Sequence, residues 1–120
     1  AGFSARNVAG ALDNVLGKSA SEITSLLKGA GFVDYDIADV LKHFLDIDST
    51  NAGKYMVNAG MAAGNVASML RKNAFWDKGS KATGKILKKA GLGKSTVRSA
   101  LRTAGWAAKT VNDVIDDIFG

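Results

Sequence analysis

At 120 residues, with 16 basic and 11 acidic side chains and no cysteine, the chain is long enough for one domain with a real core, and it excludes disulfides, thiol nucleophiles and thiolate metal sites. Fourteen glycines without a single proline leave glycine alone to punctuate it. The charge-free stretch from Tyr55 to Leu70 is shorter than the roughly 20 apolar residues of a spanning helix, so no permanent transmembrane segment is expected.

The chain opens Ala1-Gly2-Phe3-Ser4, with neither Met nor a secretory signal, so its start is expected to be set by processing or cloning. From there a unit of about 15 residues recurs eight times, beginning at Val8, Ile23, Ile37, Ala52, Val66, Thr83, Val97 and Val111. Within each unit the first, fourth, fifth and eighth positions are mostly apolar. Val8, Ala11, Leu12 and Val15 return as Ile23, Leu26, Leu27 and Ala30, then as Ile37, Val40, Leu41 and Phe44. Near the end come Val97, Ala100, Leu101 and Ala104, then Val111, Val114, Ile115 and Ile118. That spacing is one face of a two-turn α-helix.

Helix starts are predicted at Ser19, where Glu22 completes a capping box, and at Asp34, Ser49 and Ser80, each three residues ahead of a unit. Units two, four, six and seven end in Ala-Gly and a large apolar residue: Ala30-Gly31-Phe32, Ala59-Gly60-Met61, Ala90-Gly91-Leu92 and Ala104-Gly105-Trp106. A glycine there supplies the left-handed residue of a helix C-cap. The other units carry bulk instead, at Leu16, Leu45, Ala74-Phe75-Trp76 and Phe119, and their helices are expected to run on. Helices this short are unstable alone, so the units must bury their stripes together. The expected fold is all-α, a single domain over residues 1–120: about eight short amphipathic helices in a compact orthogonal bundle or a short α-solenoid.

Charge is segregated along this repeat. Between Arg71 and Lys109 stand eleven basic residues against Asp77 alone, whereas residues 1–70 carry five basic and seven acidic. Lys81, Lys85, Lys88 and Lys89 recur at helical spacing, as do Lys94, Arg98 and Arg102, and Lys109 follows. These are the candidate contacts to an anionic partner: an anionic membrane surface, an acidic protein or nucleic acid. Trp76 and Trp106 flank the segment as candidate headgroup-level aromatics.

Catalytic chemistry finds no foothold. His43 is the only histidine and has no cysteine beside it; Asp113, Asp116 and Asp117 share a helix face without an acid–base companion. Asp46, Asp48, Thr50 and Asn51 fall short of a calcium loop, because no glycine holds its sixth place and Val57 holds the twelfth; Ser49 is expected to cap a helix there instead. The run Gly91-Leu92-Gly93-Lys94-Ser95-Thr96 lacks the first glycine of a phosphate-binding loop, since Lys88 stands in its place. Gly60 and Gly64 form a GxxxG that ends one helix and starts the next. No catalytic residue, metal or cofactor is expected, and the chain is not expected to be an enzyme.

Two resemblances bear on function. Residues 83–102, through Ala90-Gly91-Leu92-Gly93 and Ser95-Thr96-Val97-Arg98-Ser99, resemble the helix-turn-helix of LacI-type transcription repressors, which implies base and phosphate contacts around Ser95, Thr96, Arg98 and Ser99. Gly93 replaces that family's capping serine, and the same turn recurs beside Asp34, Asp36 and Asp39. As a whole, the Leu-Lys-x-Ala-Gly pattern resembles short helical repeats of bacterial secreted and toxin-associated proteins. It implies a non-enzymatic, secreted protein of toxin or antimicrobial type engaging an anionic surface through Lys81 to Lys109. The competing expectations are nucleic-acid binding through the helix-turn-helix and a docking module of a larger assembly.

Overall fold

The unit positions set the helix boundaries. In the computed structural model, which describes residues 4–120, the helices are α1 (Ala5–Asn14), α2 (Ala20–Gly29), α3 (Asp34–Asp39), α4 (Ser49–Asn58), α5 (Ala63–Arg71), α6 (Ser80–Lys89), α7 (Lys94–Thr103) and α8 (Ala108–Phe119). The opening Ala1, Gly2 and Phe3 lie outside the described residues.

Every N-cap stands four residues before its unit's first apolar position: Ser4, Ser19, Val33, Asp48, Ala62, Gly79, Gly93 and Ala107. The capping box of Ser19 and Glu22 forms as expected, and the Ser19 backbone N–H donating to Glu22 Oε1 holds that carboxylate below the usual range. Asp34, Ser49 and Ser80, expected as caps, are instead the first helical residues. Asp48 performs the capping expected of Ser49. Its Oδ2 accepts from the Asn51 backbone at 3.1 Å and its Oδ1 from the Asn51 side chain at 2.8 Å, which again favours the carboxylate.

The Ala-Gly-apolar ends form four copies of one Schellman turn. Gly31, Gly60, Gly91 and Gly105 have φ between 90° and 105°. Their N–H groups donate to Lys28, Val57, Lys88 and Arg102, and the following Phe32, Met61, Leu92 and Trp106 donate to the carbonyls of Leu27, Met56, Leu87 and Leu101. At three of the bulky ends the closing turn widens and the left-handed residue comes later, at Gly17, Asp46 and Asp77, whereas α8 runs on to Phe119, 12 residues against 10 in α2, α4, α6 and α7. After α3 this widening is a π-helical stretch, Val40–Phe44, in which Leu45 donates to Val40 five residues back. Aspartate serves at two of these sites because its short side chain tolerates the left-handed region.

With every unit closed by a left-handed residue, the chain turns after each helix and stacks. Each extensive contact joins a helix to its first or second neighbour in sequence, giving two layers, α1–α3–α5–α7 and α2–α4–α6–α8. The fold is therefore all-α, and of the two architectures it is the short solenoid, 46 Å long and 23 by 21 Å across. One apolar cluster runs through it, built on the fifth positions Leu27, Leu41, Met56, Leu70, Leu87, Leu101 and Ile115, all fully buried.

Small residues bring neighbouring helices within a layer close. The α5–α7 contact, the most extensive in the molecule, lies over Gly64, where a Cβ would stand 2.7 Å from Thr103 Cγ2. The GxxxG is thus divided between two helices: Gly60 closes α4 and Gly64 receives α7.

Candidate cationic surface

α6 separates a buried face from a cationic one. It buries Thr83, Gly84, Ile86 and Leu87 against its neighbours and leaves Lys81, Lys85, Lys88 and Lys89 at the surface. Since its layer places it between α4 and α8, its lysines border two grooves.

On the α8 side a groove of about 560 Å³ is lined by Lys81, Lys85, Lys88, Lys89, Asp117 and Ile118. Two of its cations are already engaged. Lys81 Nζ lies 2.7 Å from Asp117 Oδ2, a pair that lowers the Asp117 pKa, and Lys88 donates to the Ile118 carbonyl and sits over the Phe119 ring. Charged pairs this exposed contribute little to stability. Their consequence is electrostatic, because they neutralise the α8 edge.

The α4 side differs. A groove of about 300 Å³ is lined by Ser49, Thr50, Lys78, Ala82, Lys85, Ile86 and Lys89, and a second cavity of about 230 Å³ shares Thr50 and Lys89 with it and adds Asn51, Lys54 and Ala90. Lys54, Lys78, Lys85 and Lys89 have no ion pair among the described residues, and no acidic side chain lines either cavity. Two carboxylates adjoin lining residues in sequence: Asp48 is turned onto Asn51 as the helix cap, and Asp77 is an exposed left-handed turn residue without an ion pair among the described residues.

The expected eight cations therefore do not form one patch. Lys81, Lys85, Lys88 and Lys89 converge on α6, whereas Lys94, Arg98 and Arg102 run along α7, in the other layer, and line none of these grooves. Lys109 lies 3.4 Å from Asp113, one turn on along α8. Lys54 and Lys78 were absent from the expected set. Lys54 belongs to the acidic half of the chain, and only the stacking of α4 on α6 makes it a neighbour of Lys89.

The two tryptophans are not a matched pair of surface aromatics. Trp76 is a core residue, 8% exposed, with its indole N–H donating to the Ile47 carbonyl at 3.0 Å, which corrects the headgroup-level placement. Trp106 is half-buried beneath the Arg71 guanidinium, 4.4 Å from the ring centroid, while Arg71 also donates to the Ala104 carbonyl. Arg71 is thereby spent on bracing the α7–α8 turn.

The residues weighed for other chemistry have structural roles. His43 Nε2 lies 2.7 Å from the Ala74 carbonyl oxygen, so it donates there, and the ring packs near Phe75. Asp46 is a left-handed turn residue. No group of three or more His, Asp or Glu able to hold a metal occurs among the described residues. Likewise, no helix there is long and apolar enough to cross a membrane.

The segment that resembles a helix-turn-helix falls on α6, the Ala90–Gly93 turn and α7. Lys94, Ser95, Thr96, Ser99 and Arg102 are exposed and Arg98 is half-buried, while Val97, Ala100 and Leu101 are in the core. The turn itself is one of four equivalent Schellman turns, so its presence follows from the repeat. No known protein family, no curated protein and no solved structure matches the chain.

Proposed function

We propose that the chain is a non-enzymatic helical-repeat protein that docks on an anionic surface, in the first place a membrane bearing anionic headgroups, through the cationic groove between α6 and the start of α4. The setting is the secreted bacterial toxin or antimicrobial one to which the Leu-Lys-x-Ala-Gly repeats point. The observation that carries this reading is the set of four lysines without ion pairs among the described residues, Lys54, Lys78, Lys85 and Lys89, that line two cavities sharing Thr50 and Lys89, neither with an acidic side chain. A lysine held near an anionic bilayer contributes about 1 kcal/mol, so four give about 4 kcal/mol, a millimolar interaction that salt weakens strongly.

The expected result is sedimentation with phosphatidylcholine vesicles only when they carry phosphatidylglycerol, and release as salt rises through the physiological range. Equal binding to neutral vesicles, or none to anionic ones at low salt, contradicts it.

A second reading rests on the exposed row Lys94, Ser95, Thr96, Ser99 and Arg102 on the second helix of a helix-turn-helix. In that reading α7 contacts DNA. Substituting Ser95, Thr96 and Arg98 discriminates: loss that depends on duplex sequence supports base readout, and uniform weakening reduces it to phosphate contact.

A further inference from the structure

The two ends of the solenoid are chemically unlike. At the C-terminal end α8 buries Val111, Val114, Ile115 and Ile118 and exposes Asn112, Asp113, Asp116 and Asp117, as a terminal repeat with a polar outer face does. Toward the other end apolar bulk is left open. Among the described residues, all six large apolar side chains that remain exposed fall between Val15 and Phe44, among them Val15 at 78%, Leu16 at 62% and Leu26 at 47%.

The repeat itself shows what covers such positions. α1 corresponds to α5, and the two share Asn-Val-Ala at Asn7-Val8-Ala9 and Asn65-Val66-Ala67. In α5 the next two stripe positions, Met69 and Leu70, are buried, in a helix packed on α3 and α4. Their α1 counterparts, Ala11 and Leu12, are exposed and half-buried, and with Asn7 and Val8 they line an open apolar cavity of about 400 Å³. Asn65 donates from its side chain to Asp34 Oδ2 at 2.8 Å, at the start of α3, whereas the Asn7 side chain has no such partner among the described residues. A third correspondence is in the sequence. Phe3 of Ala1-Gly2-Phe3 stands five residues before Val8, as Phe32, Met61, Leu92 and Trp106 of the Ala-Gly turns stand five before Ile37, Val66, Val97 and Val111.

We propose that the open α1–α2 face is the docking surface for a further helix pair of this same repeat, seated on α1 as α3 and α4 are seated on α5. Its first helix brings a carboxylate to the Asn7 side chain. The interface continues, in register, the one that already joins each pair to the next. A second copy offers no equivalent: its C-terminal end is polar, and its other end presents the same α1–α2 face.

The test is a chain in which a copy of residues 33–60 is joined directly to Phe3. The expected result is a monomer that binds less of a hydrophobic dye and melts about 5 °C or more above the 120-residue chain. Ala11→Glu and Leu26→Glu should lower the midpoint of the extended chain while leaving that of the 120-residue chain nearly unchanged. An unchanged midpoint with unchanged dye binding overturns the proposal. So does concentration-dependent dimerisation of the 120-residue chain that Leu26→Glu abolishes, because the face would then serve a second copy. Neither readout involves vesicle binding, so the inference stands or falls apart from the function proposed above.

Discussion

Lys85→Glu together with Lys89→Glu should weaken binding to anionic vesicles by roughly a thousandfold, in effect abolishing it. The two residues border both sides of α6, lining the groove toward α4 and the groove toward α8, and neither has an ion pair among the described residues. Reversal replaces two attractive charges by two repulsive ones, a change of about 4 kcal/mol at about 1 kcal/mol per charge. Stability should be nearly unaffected, since both side chains are exposed and surface substitutions away from packed features stay within about 0.5 kcal/mol. The pair Lys94→Glu and Arg102→Glu moves the same charge on α7 and is the control. It should leave more than half of the binding free energy in place if the α6 surface is the contact, and the vesicle titration that measures one variant measures both.

The second large effect is on stability. Leu101→Ala should cost about 2–5 kcal/mol, read as a fall in the denaturant midpoint. Leu101 is fully buried at the fifth position of its unit, and its Cδ1 would lie 3.6 Å from a Cβ at Gly84, so α7 packs on α6 where glycine leaves no side chain to fill a void. Against a total of about 5–15 kcal/mol for a domain, that loss takes a large share. Leu26→Ala removes the same group from a stripe position that is 47% exposed, and should cost less than about 1 kcal/mol. The same leucine-to-alanine change therefore separates a covered position of the solenoid from an open one.

The contrast also shows where a linear pattern stops being informative. Eight helices and their apolar stripes were legible because spacing at i, i+3, i+4 and i+7 is a local consequence of helical geometry. The starts were misplaced by one residue at Asp34, Ser49 and Ser80 because the N-cap there falls on Val33, Asp48 and Gly79, and only Asp48 of these caps with its side chain. At Leu45 and Trp76 the chain turns instead of running on, because Asp46 and Asp77 supply a left-handed residue that no glycine provides there, whereas α8 does run on to Phe119.

The candidate surface was half legible. Spacing alone put Lys81, Lys85, Lys88 and Lys89 on one helix face. It could not tell that Lys81 and Lys88 are engaged by the end of α8, or that Lys54 and Lys78 join Lys85 and Lys89. Those facts depend on second-neighbour stacking, which the sequence left open between a bundle and a solenoid. Trp76 was misjudged for a related reason: an aromatic after a helix end suits the surface and the core equally, and here the Ile47 carbonyl takes its indole N–H.

The most direct test of the central claim is lysine acylation of the intact chain, free and bound to phosphatidylglycerol-containing vesicles, read residue by residue by mass spectrometry. The α6 surface predicts that Lys54, Lys78, Lys85 and Lys89 lose reactivity on binding while Lys94 and Lys109 keep theirs. Protection centred on Lys94, or spread evenly over all lysines, would contradict it.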